Sequence, residues 1–436
     1  MISIVGCFLG FFVITIFSFR NWSIFICTTI AAFVVIFTSN MPIVDSLSNY
    51  FFGGMGNYFA AYFGIFLYGG ILANIFAASG AAESIAHGVM KVLIRSDASQ
   101  QKRQIMSLFA AIMIGMIFTF GGILSTVVML TMFPIVMSIF KEADIPKKYI
   151  VGVLLGATNT FVQTTAGTPQ PTNVVPMTIL GTSSTSGLIP STIASVIELA
   201  LILYGLNWMI TRSKQRGEHF SEDENKYKKK GDALPNIWVS LVPLVIVFAL
   251  FNAFQLNIVL CLIIGCICAV IVFWKHLDNA VNAAGEGAKV ASLTMATMCP
   301  IIGFGTLVQA TPGFTSIQDS LLNLNIHPVL IVMISVTLLV FLTGGPATGQ
   351  QLVLPAIIPT VIGKFGLSPA LVHRISAFTA CTFDSMPYSG LFIMLNQRAD
   401  TKIKDTYPAV FFTTVIVTTI GAWIVTGLLI LFPGWA

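Results

Sequence analysis

A single carboxylic acid in an apolar stretch is the residue best suited to chemistry in this sequence. Asp384 lies in the run Ala-Cys-Thr-Phe-Asp-Ser-Met-Pro-Tyr-Ser-Gly (380–390), with apolar residues on both sides. Pro387 interrupts a helix, and non-helical backbone at membrane depth is tolerated only where it lines a cavity. An ionisable residue there marks a functional site. We expect Asp384 to take up and release a proton; the alternatives are a permanently ionised cation ligand or a helix cap.

Uncharged polar residues accompany a second interruption. The run Gln-Thr-Thr-Ala-Gly-Thr-Pro-Gln-Pro-Thr-Asn (163–173) holds two prolines within three residues, which cannot continue a helix. A wall of hydroxyl and amide groups suits a polyhydroxylated or hydroxy-acid solute, and it also suits Na⁺ held by freed carbonyls. The candidate solute ligands at the two interruptions are Thr168, Gln170, Asn173, Ser385, Tyr388 and Ser389.

Two glycine pairs mark a third and a fourth element. Each pair lies near the middle of an apolar stretch, and glycine lets backbone N–H groups approach a ligand closely. A helix that begins just after each pair would direct its positive end at an anion. The candidate residues here are Gly121, Gly122, Ser125, Thr126, Gly345, Thr348, Gly349 and Gln350. Because no Lys or Arg is expected deep in a span, these groups would have to bind the anion without a basic side chain.

The remaining ionisable residues are predicted to lie at membrane borders. We expect His373 and Arg374 at a border. Glu198 is expected near the end of a span, at a border position; the alternative is a second titrating group. Seven cysteines are scattered through apolar segments without the spacing of metal ligands. No metal site and no cofactor are predicted.

The elements that position these residues are membrane spans. The chain of 436 residues is 56% hydrophobic and 9% charged, with a mean hydropathy of +0.89. It has too few charged residues to form the polar surface of a water-soluble protein. Spans of about 20 apolar residues are predicted at 2–19, 22–38, 57–79, 149–180 (interrupted), 188–211, 236–251, 255–274, 288–310, 371–396 (interrupted) and 408–432. The stretches 104–140 and 328–363 are interpreted as re-entrant hairpins; pairs of ordinary spans are the alternative.

The chain contains an internal repeat. Gly344-Gly345 follows Gly121-Gly122 by 223 residues, and Ser368-Pro369 follows Ile145-Pro146 by the same offset. We therefore predict two copies of one unit, residues 1–211 and 236–436, joined by a cytoplasmic linker at 212–235. Five crossings in each copy require the copies to be inverted, and paired interrupted segments of this kind point to the binding site of a secondary transporter.

Charge distribution predicts the orientation. With both termini outside, every Lys and Arg lies on the cytoplasmic side except Lys364 and Arg374, as the positive-inside rule requires. These basic residues lie in loops at membrane borders, so no nucleic-acid partner is predicted. The lack of His-Glu-x-x-His and Gly-x-Ser-x-Gly motifs argues against an enzyme.

Three segments resemble a known family. The run Gly-Thr-Pro-Gln-Pro-Thr-Asn-Val-Val-Pro (167–176), the segment Ser-Gly-Ala-Ala-Glu-Ser-Ile-Ala (79–86) and the run Phe-Asp-Ser-Met-Pro-Tyr-Ser-Gly (383–390) resemble the bacterial gluconate:proton symporters of the ion transporter superfamily. The resemblance covers essentially the whole chain. Met386, Tyr388 and Ser389 stand where the family pattern leads us to expect Leu, His and Asn.

The resemblance implies an all-α, polytopic elevator-type transporter of the bacterial cytoplasmic membrane. It also implies a homodimer and proton-coupled uptake of sugar acids or related small organic anions. The different residues beside the acid leave gluconate itself open. Sodium coupling in the same fold is the second hypothesis, and uptake measured with sodium or proton gradients would distinguish the two.

Overall fold

The structure is a computed structural model that describes residues 2–20, 22–93, 99–221, 234–343, 346–383, 385–386 and 390–436. These residues form helices and connecting turns, with no strand among them. The helices before the linker are α1 (Ile2–Phe19), α2 (Ile24–Thr38), α3 (Ile43–Asp45), α4 (Gly53–Ala78), α5 (Ala81–Leu93), α6 (Gln100–Phe120), α7 (Ser125–Glu142), α8 (Ile150–Thr158), α9 (Phe161–Thr164), α10 (Pro171–Leu180) and α11 (Leu188–Gln215).

The second half has the same order of long and broken helices. Its helices are α12 (Ile237–Asn252), α13 (Ile258–Val272), α14 (Ala280–Gln309), α15 (Pro312–Leu322), α16 (Pro328–Thr343), α17 (Pro346–Ile358), α18 (Pro369–Ala380), α19 (Gly390–Ala399), α20 (Ile403–Phe411) and α21 (Val417–Leu431). Two π-helical segments join neighbouring helices: Ser46–Phe52 joins α3 to α4, and Phe412–Ile416 joins α20 to α21.

Several helices are long and apolar enough to cross a membrane. Among the described residues five segments meet both criteria: Ile43–Ala78, Gln100–Phe120, Leu188–Gln215, Ala280–Gln309 and Ile403–Leu431. Shorter apolar helices include α2, α12 and α13. The third predicted span, 57–79, begins earlier than expected, because π-helical turns continue the helix back to Ile43.

Helices α4 and α14 pack along their whole length. Gly54 adjoins Thr306 at one end, Gly70 adjoins Gly287 further along, and the side chain of Asn74 donates to the carbonyl of Ala283 over 2.7 Å. Residue numbers along this contact rise in α4 and fall in α14, so the two helices are antiparallel. At Gly70 and Gly287 the backbones lie so close that a Cβ atom on either would meet the other's carbonyl.

The short helices after α4 and α14 pack on the opposite half of the chain. Helix α5 contacts α12, where Ser84 donates to the carbonyl of Pro235 over 2.6 Å. Helix α15 contacts α1, where the N–H of Gly313 donates to Ser3 Oγ over 2.9 Å. Each half therefore covers the first helix of the other half.

Helices α6 and α7 form an antiparallel hairpin with its turn inside the protein. The turn residues Gly121 and Gly122 are buried against Leu244 and Val247, which lie near the middle of α12. Helix α6 has 21 residues, about 32 Å at 1.5 Å per residue, which is long enough to cross a bilayer. Helices α16 and α17 form the corresponding pair.

Candidate functional site

The first candidate element is a helix broken between Thr158 and Pro171. Gly167 adopts φ +86°, which residues with a side chain rarely adopt. Gln170 is extended at φ −76° and ψ 151°, as expected for a residue that precedes proline. Pro171 then occupies the first turn of α10, where its missing N–H is not needed. Local chemistry therefore accounts for the break.

Gln170 attaches the break to the first hairpin. Its Nε2 atom donates to the carbonyls of Thr119 and Ile123, over 3.0 Å in each case. Its Oε1 atom accepts from the N–H of Ser125 over 3.3 Å. Backbone groups at the ends of helices lack partners within the helix, so one buried amide satisfies the hairpin turn at three points.

Gln163 makes a second connection to the same turn. Its Nε2 atom donates to Ser125 Oγ over 3.0 Å and to Asn159 Oδ1 over 2.8 Å. The Gln163 carbonyl accepts from Thr172 Oγ1 over 2.7 Å. Gln163 and Thr172 were not predicted as site residues, although both belong to the polar run at 163–173.

Gln350 of the second hairpin reaches the same break. Its Nε2 atom donates to the carbonyl of Thr172 over 3.1 Å. That carbonyl is free because the residue four positions later is Pro176, which lies inside α10 and has no N–H to donate. The absent donor of Pro176 thus creates the acceptor that receives the second hairpin.

Asn173 connects the two interrupted segments. Its Oδ1 atom accepts from His373 Nε2 and from Arg374 Nη2, over 3.0 Å in each case. Its Nδ2 atom donates to the carbonyls of Thr168 and Ser184 over 2.9 and 3.1 Å. These bonds use the two amide hydrogens and both acceptor positions of the side chain. Asn173 therefore positions the break.

Arg374 was expected at a membrane border, and that prediction is wrong. The side chain is fully buried, because the loop between α10 and α11 folds over it, with Gly187 against its aliphatic part. Its Nε atom donates to the carbonyl of Ser186 over 2.7 Å, and Nη1 donates to the carbonyl of Thr164. His373, also expected at a border, is fully buried, and its Nδ1 atom lies 2.7 Å from Thr182 Oγ1.

The guanidinium of Arg374 has neutral partners. Its acceptors are backbone carbonyls and the amide oxygen of Asn173. Within the described part of the chain, no carboxylate forms an ion pair with it. A positive charge therefore lies against the break of the first interrupted segment, inside the protein.

Two candidate ligands retain buried polar atoms without hydrogen bonds, Thr168 Oγ1 and Gln350 Oε1. Ser385 and Gly349 are also buried. Four candidates, Asp384, Gly345, Tyr388 and Ser389, lie outside the described residues. Thr126 and Thr348 lie in α7 and α17, but their side chains are outside what the structure describes.

Glu198 was expected near the end of a span and instead lies in the interior of α11. It is 1% exposed, and its carboxyl group packs against Gly421 of α21. Neither carboxyl oxygen has a hydrogen-bond partner. A signal for this position was present in the sequence, since Gly421 follows Glu198 by the 223-residue repeat offset and provides the space that the carboxyl occupies.

At the other end of α11, two acids hold the start of the linker. Asp144 lies 2.8 Å from His219 Nδ1 and accepts from the N–H of Phe220 over 3.0 Å. Partial burial by itself would raise the pKa of Asp144. The two hydrogen bonds and the nearby positive charge of Lys214 outweigh this effect, so the pKa lies below its usual value. Hydrogen bonds from Lys148 and Ser213 hold the pKa of Glu218 below its usual value.

Comparison with known proteins places these features in a family. A model of the GntP family permeases matches residues 1–432. An uncharacterized transporter of Bacillus subtilis (strain 168), YxjC, is 23% identical over 452 residues, covering 92% of this chain and 93% of the relative. The crystal structure of the Alcanivorax borkumensis YdaH transporter, described as having an unusual topology, matches with a TM-score of 0.52 at 15% identity. That match covers 88% of this chain and 89% of the other, so it indicates a shared fold.

Proposed function

Since this chain belongs to the GntP family of permeases and is therefore a multi-pass secondary transporter, we propose that it carries a small organic carboxylate together with a proton. The solute is a sugar acid, a hydroxy acid or a related anion. Transport runs across the bacterial cytoplasmic membrane, with both termini of the chain outside.

The buried guanidinium of Arg374 is the observation that carries this proposal. Its hydrogen bonds go to neutral acceptors, so its charge is not cancelled by a carboxylate among the described residues. In a medium of low dielectric constant this charge acts over several ångströms. This charge favours binding of an anion near the break, and the guanidinium attracts the solute without contacting it.

Hydroxyl and amide groups then provide direct contacts. Thr168 Oγ1 and Gln350 Oε1 are buried without partners, and such atoms are costly unless a ligand completes their hydrogen bonds. They belong to different elements, the broken helix and the second hairpin. Further proposed contacts come from Ser125, Thr126, Gly345, Thr348, Gly349, Ser385, Tyr388 and Ser389.

Gln170 and Asn173 have supporting roles in this proposal. Each uses its side chain to bind backbone groups of the hairpin turn or of the break and the loop after it. Gly121 and Gly122 allow the hairpin turn to pack closely on α12. These four residues hold the solute contacts in position.

An elevator mechanism in two inverted repeats completes the proposal. The antiparallel packing of α4 and α14 supports inversion, because these helices occupy equivalent places in the two halves. The contacts of α5 with α12 and of α15 with α1 also support inversion, since each joins a helix of one half to the first helix of the other half. The hairpin turn lies at the middle of α12, which supports a re-entrant hairpin even though α6 by itself is long enough to cross a bilayer. The helices that bear the site move against a scaffold built on α4 and α14, within a homodimer.

The test begins with the solute. Binding to the folded state raises apparent stability, so thermal unfolding of the purified protein is screened against gluconate, short hydroxy acids and simple carboxylates. The best ligand is then used in proteoliposomes with an imposed pH gradient or an imposed sodium gradient. We expect accumulation with the pH gradient alone. Accumulation that needs sodium and leaves the external pH unchanged would select sodium coupling instead.

Asp384 is the proposed coupling acid. Asp384→Asn is expected to abolish accumulation driven by the pH gradient while solute exchange continues. The matched control is Asp319→Asn, at an exposed acid of α15. Full accumulation by the Asp384 variant would refute its role.

A further inference from the structure

One acid in the protein interior has no part in the proposed function so far. Glu198 is 1% exposed in the middle of α11. The backbone N–H of Phe161, at the start of α9, faces its carboxyl group, but in a geometry too poor for a full hydrogen bond. On the other side the carboxyl lies against Gly421, which has no side chain to donate a hydrogen bond.

The elements around Glu198 offer no compensating charge in the described residues. Helix α11 packs against α6, α9, α21, the segment Phe412–Ile416 and the segment Pro433–Trp435. Of these, only α6 carries basic residues, Lys102 and Arg103, in its first turn. Gln104 beside them bonds to Asn207, more than two turns along α11 from Glu198.

The other titratable groups are equally unsuited to pair with this carboxyl. On α11 itself Tyr204, Arg212 and Lys214 lie further towards its C-terminal end. On α18, behind α9 and α21, Arg374 and His373 are bonded to neutral groups. An ionised carboxylate without a cation or hydrogen bonds is far more costly in such surroundings than a neutral carboxylic acid.

Two hydroxyl groups on the same face of α11 as Glu198 contact the first break. Ser191, Ser195 and Glu198 share one face of α11, since they are four and three residues apart. Ser191 Oγ accepts from the N–H of Ala166 over 2.7 Å. Ser195 Oγ is hydrogen-bonded to Thr165 Oγ1. Glu198 therefore lies one turn beyond hydroxyl groups that already contact the broken segment.

Repeat symmetry explains why this position would respond to a change of conformation. The 223-residue offset makes Gly421 the equivalent of Glu198, and these two residues are in contact. Where equivalent residues of two copies touch, the internal symmetry axis passes between them. Any change in the relative tilt of the two halves alters the space around Glu198.

We propose that Glu198 is a second proton-binding group, distinct from Asp384. In the conformation described here it is a neutral carboxylic acid. In the other conformation of the transport cycle its O–H bond is broken and the proton passes to water, which enters through the interruption between α8 and α10. A carboxylate remains. This inference rests on the proposed function for its role in transport, whereas the bound proton itself can be observed without any solute.

The first experiment observes the proton directly. Infrared spectra of the purified protein in lipid nanodiscs at neutral pH are compared for the wild type, Glu198→Gln and Glu142→Gln. Glu142 is an exposed acid at the end of α7 and serves as the matched control. We expect the C=O stretching band of a protonated carboxylic acid to disappear only in Glu198→Gln. A spectrum in which Glu198→Gln removes a carboxylate band instead would overturn the proposal.

The second experiment measures coupling in proteoliposomes with gluconate as the probe. Glu198→Gln should lower accumulation driven by a pH gradient at least tenfold and leave gluconate counterflow within twofold of wild type. Unchanged accumulation would refute a coupling role. If the variant shows no counterflow, Glu198→Asp, which keeps a titratable group, is expected to accumulate gluconate with a shifted pH profile, and an unshifted profile refutes the role. Absence of gluconate counterflow in the wild type contradicts gluconate as the solute, and the infrared result then tests the bound proton of Glu198 by itself.

Discussion

Arg374 Nη2 donates to Asn173 Oδ1 over 3.0 Å, which connects the second half of the chain to the broken helix of the first. The same oxygen accepts from His373 Nε2. A single amide of α10 thus receives two neighbouring residues of α18. This arrangement keeps the two interrupted segments together, and any solute site between them depends on it.

Replacement of the guanidinium tests this connection. Arg374→Lys is expected to destabilise the protein, because a compact ammonium cannot reproduce the forked set of N–H donors. The buried carbonyls of Thr164 and Ser186 would lose their donor, at about 1–3 kcal/mol for each unpaired group. Thermal unfolding in detergent measures the loss. Arg212→Lys, at an exposed arginine stacked on Trp208, should change Tm little. Equal effects of both variants would contradict the assigned role.

The unpartnered hydroxyl of Thr168 separates solute binding from stability. Thr168→Val keeps the shape of the side chain and removes a buried Oγ1 atom that lacks a hydrogen bond. We expect an unchanged or slightly higher Tm, since an unsatisfied polar atom costs about 1–3 kcal/mol, together with weaker solute binding. Thr158→Val is the control, because the Thr158 hydroxyl bonds to its own helix at Leu154. Wild-type solute affinity in Thr168→Val would remove Thr168 from the site.

The contact between α11 and α21 predicts a large difference between two glycines of one helix. In Gly421→Ala the new methyl group would overlap the carboxyl of Glu198, whereas Gly427→Ala meets no atom within 4 Å. Overpacking of this kind costs about 1–3 kcal/mol, so only the first variant should lower Tm. Glu198→Ala combined with Gly421→Ala should recover much of the loss. Without such recovery, another contact must limit the space at Gly421.

The attachment of the linker should depend on pH. The pKa values of Asp144 and Glu218 lie below normal in the folded protein. Their contribution to the stability of this attachment is therefore fully present above the ordinary carboxyl pKa of about 4. It is lost as the pH falls through the lower pKa values of the folded state. The protection of amides 213–221 from hydrogen–deuterium exchange, taken relative to the intrinsic exchange rate at each pH, should fall in acid. Asp144→Asn should accelerate exchange of Phe220 at neutral pH. Exchange rates in the variant equal to those of the wild type would argue against this anchor.

The sequence alone determined the class of protein and the places where helices break. Composition required a membrane protein, and glycine and proline act on their own neighbours, so the interruption at 165–170 follows from local chemistry. The polar run was also identifiable, because amides and hydroxyls are unusual within apolar spans. The inverted repeats and the five-crossing count stay predictions.

Only the tertiary structure decided which polar groups are buried and which are already bonded. Arg374 and His373 are interior because a loop from the other half folds over them, and Glu198 is interior because Gly421 makes room for it. Asn173 uses its hydrogen-bonding capacity on groups far away in sequence. Burial and hydrogen bonding depend on neighbours that the chain brings together only when folded, so spacing along the sequence could not assign these roles.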